Sequence, residues 1–305
     1  MPRPERAALD GFATKLEIAL DRAALAKPNP GFTALHRLNR TEYANAIRDL
    51  LSLDVDVSTL LPADDSSEGF DNIAEALAIS PALVERYTSA AVKISKLAVG
   101  NMLLSANTVT YRVPGDFSQT AHIEGLPLGA RGGLSVKHNF PLDAEYNLKI
   151  RARGGGIGVG GPGVSGEELE VTIDGERIKV GPGAIDLKIP VKAGPRTITA
   201  AYVRKTPPGA DDVWQTFAGA SAVSSIIITG PVNPAGLGDT PSRQRIFICK
   251  PATPAEEPAC AKKIITNLAR QAYRKPPTPG DLDTLQTFHN AGRTAGNFDN
   301  GIEQA

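Results

Sequence analysis

The spacing of apolar residues changes twice along this 305-residue chain, and that change limits the folds it can adopt. In the first third and again near the end, apolar residues recur every three or four positions, as on one face of an amphipathic helix. Between Val109 and Gly230 they fall in short runs with a period of two, separated by Gly, Pro and Asp. The sequence therefore predicts a helical segment, then a β segment, then a second helical segment.

Three helices are predicted in the first segment. The first covers residues 5–26 and ends before the Pro28 turn. The second starts near Thr41, a good N-cap residue. The third starts after Ser80, with Pro81 at its first helical position, and ends before Gly100. We assign residues 1–105 to a helical domain.

Seven short strands are predicted in the middle: Val109–Val113, Leu134–Phe140, Tyr146–Ala152, Leu169–Ile173, Ile185–Val191, Thr197–Val203 and Ser225–Thr229. Strands at this spacing are typical of an antiparallel sandwich or jelly roll. The Asp174-Gly175 pair favours a type I′ hairpin turn. We assign residues 106–232 to this β-sandwich and residues 233–305 to a linker and a small, incomplete helical domain.

The charge balance argues against two classes of partner. Lys and Arg total 33 and Asp and Glu total 33, so the chain lacks the basic excess that binds nucleic acid or an anionic membrane. No stretch approaches the roughly 20 apolar residues of a membrane helix, and the N-terminus lacks the apolar core of a signal peptide. We expect no nucleic-acid partner and no membrane span.

Motifs that carry catalysis are absent from the sequence. There is no Gly-x-Ser-x-Gly elbow, His-Glu-x-x-His helix or Cys-x-x-Cys-His haem site. His36, His122, His138 and His289 lack metal-ligand spacing. The glycines at 158, 160 and 163 formally match a dinucleotide fingerprint, but a strand rather than a helix is predicted after them. We identify no catalytic residue and expect no enzyme activity from this chain alone. A polysaccharide hydrolase stays open, since it would need two facing carboxylates that only a structure can show.

Asp211 and Asp212 stand three and two residues before Trp214, the only tryptophan, in the long loop that precedes the last predicted strand. Carboxylates are ligands that Ca²⁺ prefers, and an aromatic face beside hydrogen-bond acceptors is what sugar stacking uses. We interpret Asp211 and Asp212 as candidate Ca²⁺ ligands and all three residues as a candidate ligand-binding site. A turn with a partly buried Trp is the alternative.

Cys249 and Cys260 are the only cysteines and lie on either side of a proline-containing turn. Two such cysteines suggest a disulfide formed in an oxidising compartment. Two buried thiols, or half of a metal site, are the alternatives.

The two ends of the chain resemble a known group of proteins. The run LNRTEYANAIRDLL (38–51), followed by LPADD (61–65) and GFDN (69–72), resembles the helical domain of multidomain proteins from planctomycetes and related bacteria. The segment from IFIC (246–249) through AYRKP (272–276) resembles a later helical domain of the same proteins. In these proteins such domains accompany a c-type cytochrome domain, which the resemblance implies as a partner within the full-length protein.

The middle resembles carbohydrate-binding jelly rolls, especially the calcium-dependent xylan-binding type. The phrases GGLSV (132–136), FPLDAEYNL (140–148), VTIDG (171–175) and VKAGPRTI (191–198) carry this resemblance. In that type the cation lies in end loops, and Asp211 and Asp212 stand in such a loop. The resemblance implies polysaccharide as a partner and Ca²⁺ as a cofactor.

Together these resemblances imply a fragment of an exported protein, located in the periplasm or at the cell surface. We expect the chain to be a non-catalytic binding or scaffold portion, with haem only in an upstream domain that this chain lacks. Met1-Pro2 is interpreted as the end of that haem domain, or as an ordinary start. The alternative function is part of a haem-dependent oxidoreductase whose cytochrome domain is missing here.

Overall fold

A computed structural model describes residues 5–28, 37–65, 77, 79–115, 123–127, 130–153, 167–181, 184–204 and 222–305. Within these residues the chain forms seven α-helices and eight β-strands, with helices at both ends and strands between them, as predicted. It divides into two compact units, one formed by residues 1–39 and 64–80 and the other by residues 40–63 and 81–305.

The helices are α1 (Arg6–Ala26), α2 (Arg40–Leu51), α3 (Pro81–Val99), α4 (Pro241–Ile246), α5 (Glu257–Tyr273), α6 (Pro279–Ala295) and α7 (Phe298–Gln304). Short 3₁₀ turns cover Val57–Thr59 and Pro254–Glu256. Helix α3 begins and ends where the sequence predicts. Helix α2 begins at Arg40, so Thr41 lies inside its first turn instead of capping it.

The strands are β1 (Asn107–Arg112), β2 (Ala130–Phe140), β3 (Asp143–Arg153), β4 (Glu167–Ile173), β5 (Glu176–Gly181), β6 (Ile185–Val191), β7 (Gly194–Arg204) and β8 (Ala222–Gly236). They form two antiparallel sheets, with strand orders β1-β8-β3-β6 and β2-β7-β4-β5. The seven predicted strands are all present. Strand β5 was not predicted.

Apolar residues at alternating positions along the strands form the core of the sandwich. In β3, Tyr146, Leu148 and Ile150 are buried while the residues between them are only partly covered. They join one apolar cluster with residues of both sheets, including Phe140, Leu169, Val171, Ile198, Ile226 and Ile228. The rings of Phe140 and Tyr146 meet edge to face, with centroids 4.6 Å apart. Burial of these alternating positions explains why the period-two pattern predicts this architecture.

The helices form a second apolar cluster. It contains residues from both sides of the sandwich in sequence: Leu53, Val57, Leu61, Ala90, Ile94, Ala98, Val99, Ile246, Phe247, Cys260, Ala261, Ile264 and Ile302. Helices α2 and α3 therefore share a core with α4, α5 and α7. The domain boundaries at 105 and 232 stay a prediction.

Helix α1 belongs to the first unit. It has the predicted length, and no residue of it is buried. The apolar residues Leu9, Phe12, Leu16 and Leu20 are exposed.

A disulfide joins Cys249 to Cys260, as predicted, with their Cα atoms 5.9 Å apart. Cys260 lies in the first turn of α5, and both cysteines contact the helical cluster. The bond therefore ties the segment after α4 to the start of α5.

Asp143, at the start of β3, fixes the turn between β6 and β7. Its carboxylate accepts hydrogen bonds from the Ala193 amide and from Lys192 Nζ, both at 2.8 Å. Burial raises the pKa of this carboxyl, but the hydrogen bonds from Lys192 and Ala193 outweigh burial and hold the pKa below its ordinary value of 3.8. The ionised form is therefore the one that the fold stabilises.

Replacing Asp143 tests this contact. Because its pKa is lowered on folding, Asp143 contributes stability above pH 3.8, and that contribution is lost as the pH falls through the lower folded pKa. We expect Asp143→Ala to lower the free energy of unfolding by about 1–3 kcal/mol at pH 7. The difference should shrink towards pH 3, as measured by denaturant unfolding.

The matched control is Asp186→Ala, which removes an exposed carboxylate 3.0 Å from Lys149. An exposed pair contributes about 0–1 kcal/mol, so this variant should stay close to the wild type. A loss for Asp143→Ala that is the same at pH 3 and pH 7 would contradict the role of its charge.

Candidate functional site at the loop end of the sandwich

The two ends of the sandwich differ in how the strands are connected. At one end, two-residue turns at 141–142, 174–175 and 192–193 join β2 to β3, β4 to β5 and β6 to β7. At the other end the connections span 113–129, 154–166, 182–184 and 205–221. We call these the turn end and the loop end.

The strand register brings these connections to the same edge. In one sheet Arg112 pairs with Ser225 and Arg153 with Ala222, and in the other Ala130 pairs with Val203. Each pair joins a residue at or near the end of one strand to a residue at or near the start of the neighbouring strand in the sheet. The residues that flank the long connections are therefore fixed by ladder hydrogen bonds at one end of a rigid scaffold.

The turn end has the local geometry that its sequence requires. Asp174 and Gly175 both adopt positive φ angles, 50° and 83°, as a type I′ turn demands. The Asp174 carboxylate accepts hydrogen bonds from the Thr197 amide at 2.8 Å and from the Arg196 guanidinium at 2.9 Å. These contacts leave the turn end compact and without a long loop.

Asp211, Asp212 and Trp214 belong to the 205–221 connection, which leaves β7 and enters β8 at the loop end. The three residues lie outside the described residues, so their roles stay predictions. The glycine-rich stretch 154–166 lies outside them as well. A strand, β4, follows that stretch, which is the context expected for a strand-to-strand connection and not for a dinucleotide site.

Two arginines that sequence reasoning did not single out lie at the loop end. Arg112 on β1 and Arg151 on β3 are both exposed and are paired with Ser225 of the strand between them. A separation of two strands places their backbones about 10 Å apart. Within the described part of the chain neither guanidinium forms an ion pair, so both are available as donors. Their only sequence signal is a polar position in an alternating strand, which any surface residue shares.

The outward face of the β1-β8-β3-β6 sheet is mostly polar. One row crosses all four strands through Thr108, Thr229, Asn147 and Lys188. The two threonine hydroxyls are 2.9 Å apart, and Lys188 pairs with Glu145 at 2.6 Å. The residues described on this face include no aromatic ring, so Trp214 is the candidate for sugar stacking.

Metal ligands are not grouped in the described residues. No set of three or more His, Cys, Asp or Glu side chains there could hold a metal ion. Ca²⁺ takes six to eight oxygen ligands, so Asp211 and Asp212 fit it by donor chemistry but need further oxygen donors.

His138 lies on the inward side of β2, between the sheets. Its Nδ1 is 2.9 Å from the Tyr111 hydroxyl, and its ring meets the Phe140 ring edge to face at 4.6 Å. Burial lowers the pKa of His138 from 6.5 to about 4. This histidine is therefore a neutral bridge between the edge strands β1 and β2.

His289 is the other histidine among the described residues. His289 is buried between α6 and α7, with its Nδ1 3.1 Å from Gln286 Nε2 and its ring against Phe298. His36 and His122 lie outside the described residues. The described histidines are thus packing residues, and His138 and His289 belong to separate clusters.

Both helical ends match models of protein families. Residues 36–100 match PSD3, a protein of unknown function (DUF1587), and residues 260–305 match PSD5, a protein of unknown function (DUF1595). These are the helical segments that carry the sequence resemblance. A comparison with curated proteins gives no significant match.

Solved structures to which this chain is similar include three carbohydrate-binding modules. A family 35 module from an environmental isolate is 17% identical, with a TM-score of 0.25, and the match covers 44% of this chain and 90% of the module. The C-terminal family 6 module of a marine laminarinase from Zobellia galactanivorans is 14% identical, with a TM-score of 0.26 and coverages of 41% and 100%. A family 36 module of a multidomain xylanase, from the hindgut metagenome of Trinervitermes trinervoides, is 12% identical, with a TM-score of 0.24 and coverages of 42% and 99%.

No helix in the described ranges has the length and apolar character needed to cross a bilayer.

The pH dependence of stability tests the position of His138. Because its folded pKa is about 4 and its unfolded pKa about 6.5, its contribution is complete above pH 6.5 and is lost as the pH falls towards 4. The slope in this window reaches about 1.4 kcal/mol per pH unit for one proton. We expect His138→Asn, which does not titrate, to show a flatter dependence in denaturant unfolding.

Tyr111→Phe is the control, since it removes the hydroxyl and retains the imidazole. That variant should keep the wild-type slope between pH 4 and 6.5. Equal slopes for the wild type and His138→Asn would show that His138 is not the titrating group.

Proposed function

We propose that this chain is a non-catalytic binding module that holds a polysaccharide at the loop end of its β-sandwich. The observation that carries the proposal is the division of the sandwich into a turn end and a loop end. The connection that contains Asp211, Asp212 and Trp214 belongs to the loop end. Binding residues commonly lie on loops that a rigid scaffold positions. The strands of the sandwich position the connections of the loop end in this way.

The residues of the loop end supply complementary chemistry. The indole of Trp214 provides an apolar face for a sugar ring, and Asp211 and Asp212 provide oxygen ligands for Ca²⁺. Arg112 and Arg151 provide hydrogen-bond donors to sugar hydroxyl or carboxylate groups. A bound Ca²⁺ would hold the carboxylates in place and bind sugar oxygens. The side chains of the protein would then set the orientation of the polysaccharide.

Location and neighbours extend the same proposal. The Cys249–Cys260 disulfide supports an oxidising compartment, and therefore export to the periplasm or the cell surface. The resemblance of both helical ends to planctomycete-type proteins supports a c-type cytochrome domain in the full-length protein. Haem would belong to that domain, and the sandwich would bring it close to a polysaccharide.

Thermal unfolding of the whole chain tests the proposal. The protein is compared in EDTA, in Ca²⁺, and in Ca²⁺ with each of a panel of polysaccharides that includes xylan. A ligand that binds only the folded state stabilises it by about 2.7 kcal/mol at 100 times its Kd. We expect a Ca²⁺-dependent rise in Tm that increases further with one polysaccharide.

The decisive variant replaces Asp211, Asp212 and Trp214 by Ala. It should lose both shifts, whereas the control Asp283→Ala, at an exposed position on α6, should keep them. Polysaccharide binding that survives the triple replacement would remove this site. No shift in any condition would overturn the proposed function.

A further inference from the structure

We infer that the helices before and after the sandwich are two halves of one helical domain, and that the second half binds the first without help from the sandwich. The first half comprises residues 40–63 and 81–101, and the second comprises residues 240–305. The two family matches, of unknown function, fall on these two halves. The inference does not depend on polysaccharide binding.

The apolar contact between the halves is the first support. Ile94 and Ala98 of α3 are 2% and 1% exposed, and Ala261 and Ile264 of α5 are fully buried, all in one cluster. Helix α3 lies against α4 and α7, and α2 lies against α4 and α5. Each half on its own would leave its share of this cluster in water, at a cost of about 25 cal/mol per Å² of apolar surface.

Arg243 of α4 joins the halves by polar contacts. Its guanidinium donates to the backbone carbonyl of Val99, the last residue of α3, and to the Asp299 carboxylate at 2.8 Å. Its charged group also lies 4.6 Å from the centre of the Phe247 ring. The last carbonyls of a helix lack partners within that helix, so Arg243 of the second half completes a helix of the first.

Two nearby residues of α4 bind the last turn of α2 and Ser52, the residue directly after it. Ser242 Oγ donates to the carbonyl of Ser52 at 3.2 Å, and Arg245 donates to the carbonyl of Asp49 at 3.4 Å. One short helix, α4, therefore supplies partners to the carboxyl ends of both helices of the first half. We call this set of contacts the α4 clamp.

A further contact lies at the end of α3. Asn101 Nδ2 donates to the Glu303 carboxylate of α7 at 2.6 Å. This bond joins residues 202 positions apart in sequence, with the sandwich between them.

The polypeptide chain leaves the helical domain for the sandwich and returns to it at neighbouring points. Gly100, directly after α3, has a φ of +77°, and a Cβ built on it would lie 3.5 Å from the carbonyl oxygen of Leu237, directly after β8. Because the two junctions are neighbours, the sandwich is an insertion, and the helices on either side need no strand to bring them together.

Cleavage of the folded whole chain at both junctions tests the inference. Recognition sites for a specific protease are placed beside the two junctions, at 103–104, where Leu103 is 88% exposed, and at 233–235, the exposed residues near the end of β8. After cleavage without denaturant, size-exclusion chromatography follows the three fragments. We expect the two helical fragments to elute together. Separate elution of the two helical fragments would overturn the inference.

If the sandwich fragment elutes with both helical fragments, Arg243→Ala shows whether the second half is held by the first half or by the sandwich. The variant should weaken the association of the two helical fragments at least tenfold and release the second half. The control Asp299→Asn keeps the contact between Arg243 and Val99 and should keep the complex together. Retention of the second half by Arg243→Ala, with the sandwich still attached, would also overturn the inference.

Discussion

The α4 clamp, which joins α4 to the carboxyl ends of α2 and α3, is the interaction on which the arrangement of the helices depends. The last carbonyls of a helix lack partners within that helix, and burying the Val99 carbonyl without a partner would cost about 1–3 kcal/mol. Arg243, Arg245 and Ser242 donate to them from a helix that lies 144 to 196 residues later in the chain. Small residues such as Ala98 and Ala261 contribute to the apolar cluster beside the clamp. The disulfide at Cys249 and Cys260 ties the segment after α4 to α5.

The sandwich is attached next to this contact, since Gly100 directly follows Val99. Its two junctions meet at Gly100 and Leu237, beside the turn end, where a Cβ built on Gly100 would lie 3.1 Å from the Pro141 carbonyl oxygen. The turn end is fixed by carboxylates, with Asp143 bound to Ala193 and Asp174 bound to Thr197. The long connections all belong to the other end. Attachment and the proposed binding therefore use different ends of one scaffold, which leaves the loop residues free to vary without disturbing the helices.

Local signals in the sequence predict most of the elements. Ser80-Pro81 marks the start of α3, and Asp174-Gly175 marks the hairpin turn between β4 and β5. The two cysteines form the predicted disulfide. Strand β5 was missed because it is a short edge strand in which only two apolar residues, Ile178 and Val180, alternate with charged ones. Helix α4 was missed because its six residues follow a Pro- and Gly-rich stretch and show no helical period.

Long-range arrangement is what the sequence does not show. The apolar positions of α3 and α5 predict two amphipathic helices, but periodicity cannot say which helices face each other. The same limit applies to the candidate site. Asp211, Asp212 and Trp214 are conspicuous by residue type, whereas Arg112 and Arg151 become candidates only when the strand register places them on either side of Ser225.

Hydrogen exchange on the whole protein tests the shared helical core most directly. Backbone amides of α3, α5 and β3 are compared in the wild type and in Ile264→Ala, a change in a buried residue that typically costs about 2–5 kcal/mol. If the two halves form one domain, amides of α3 and α5 will lose the same free energy of protection. Loss of protection in α5 with α3 unchanged would show that the halves fold separately and would contradict this account.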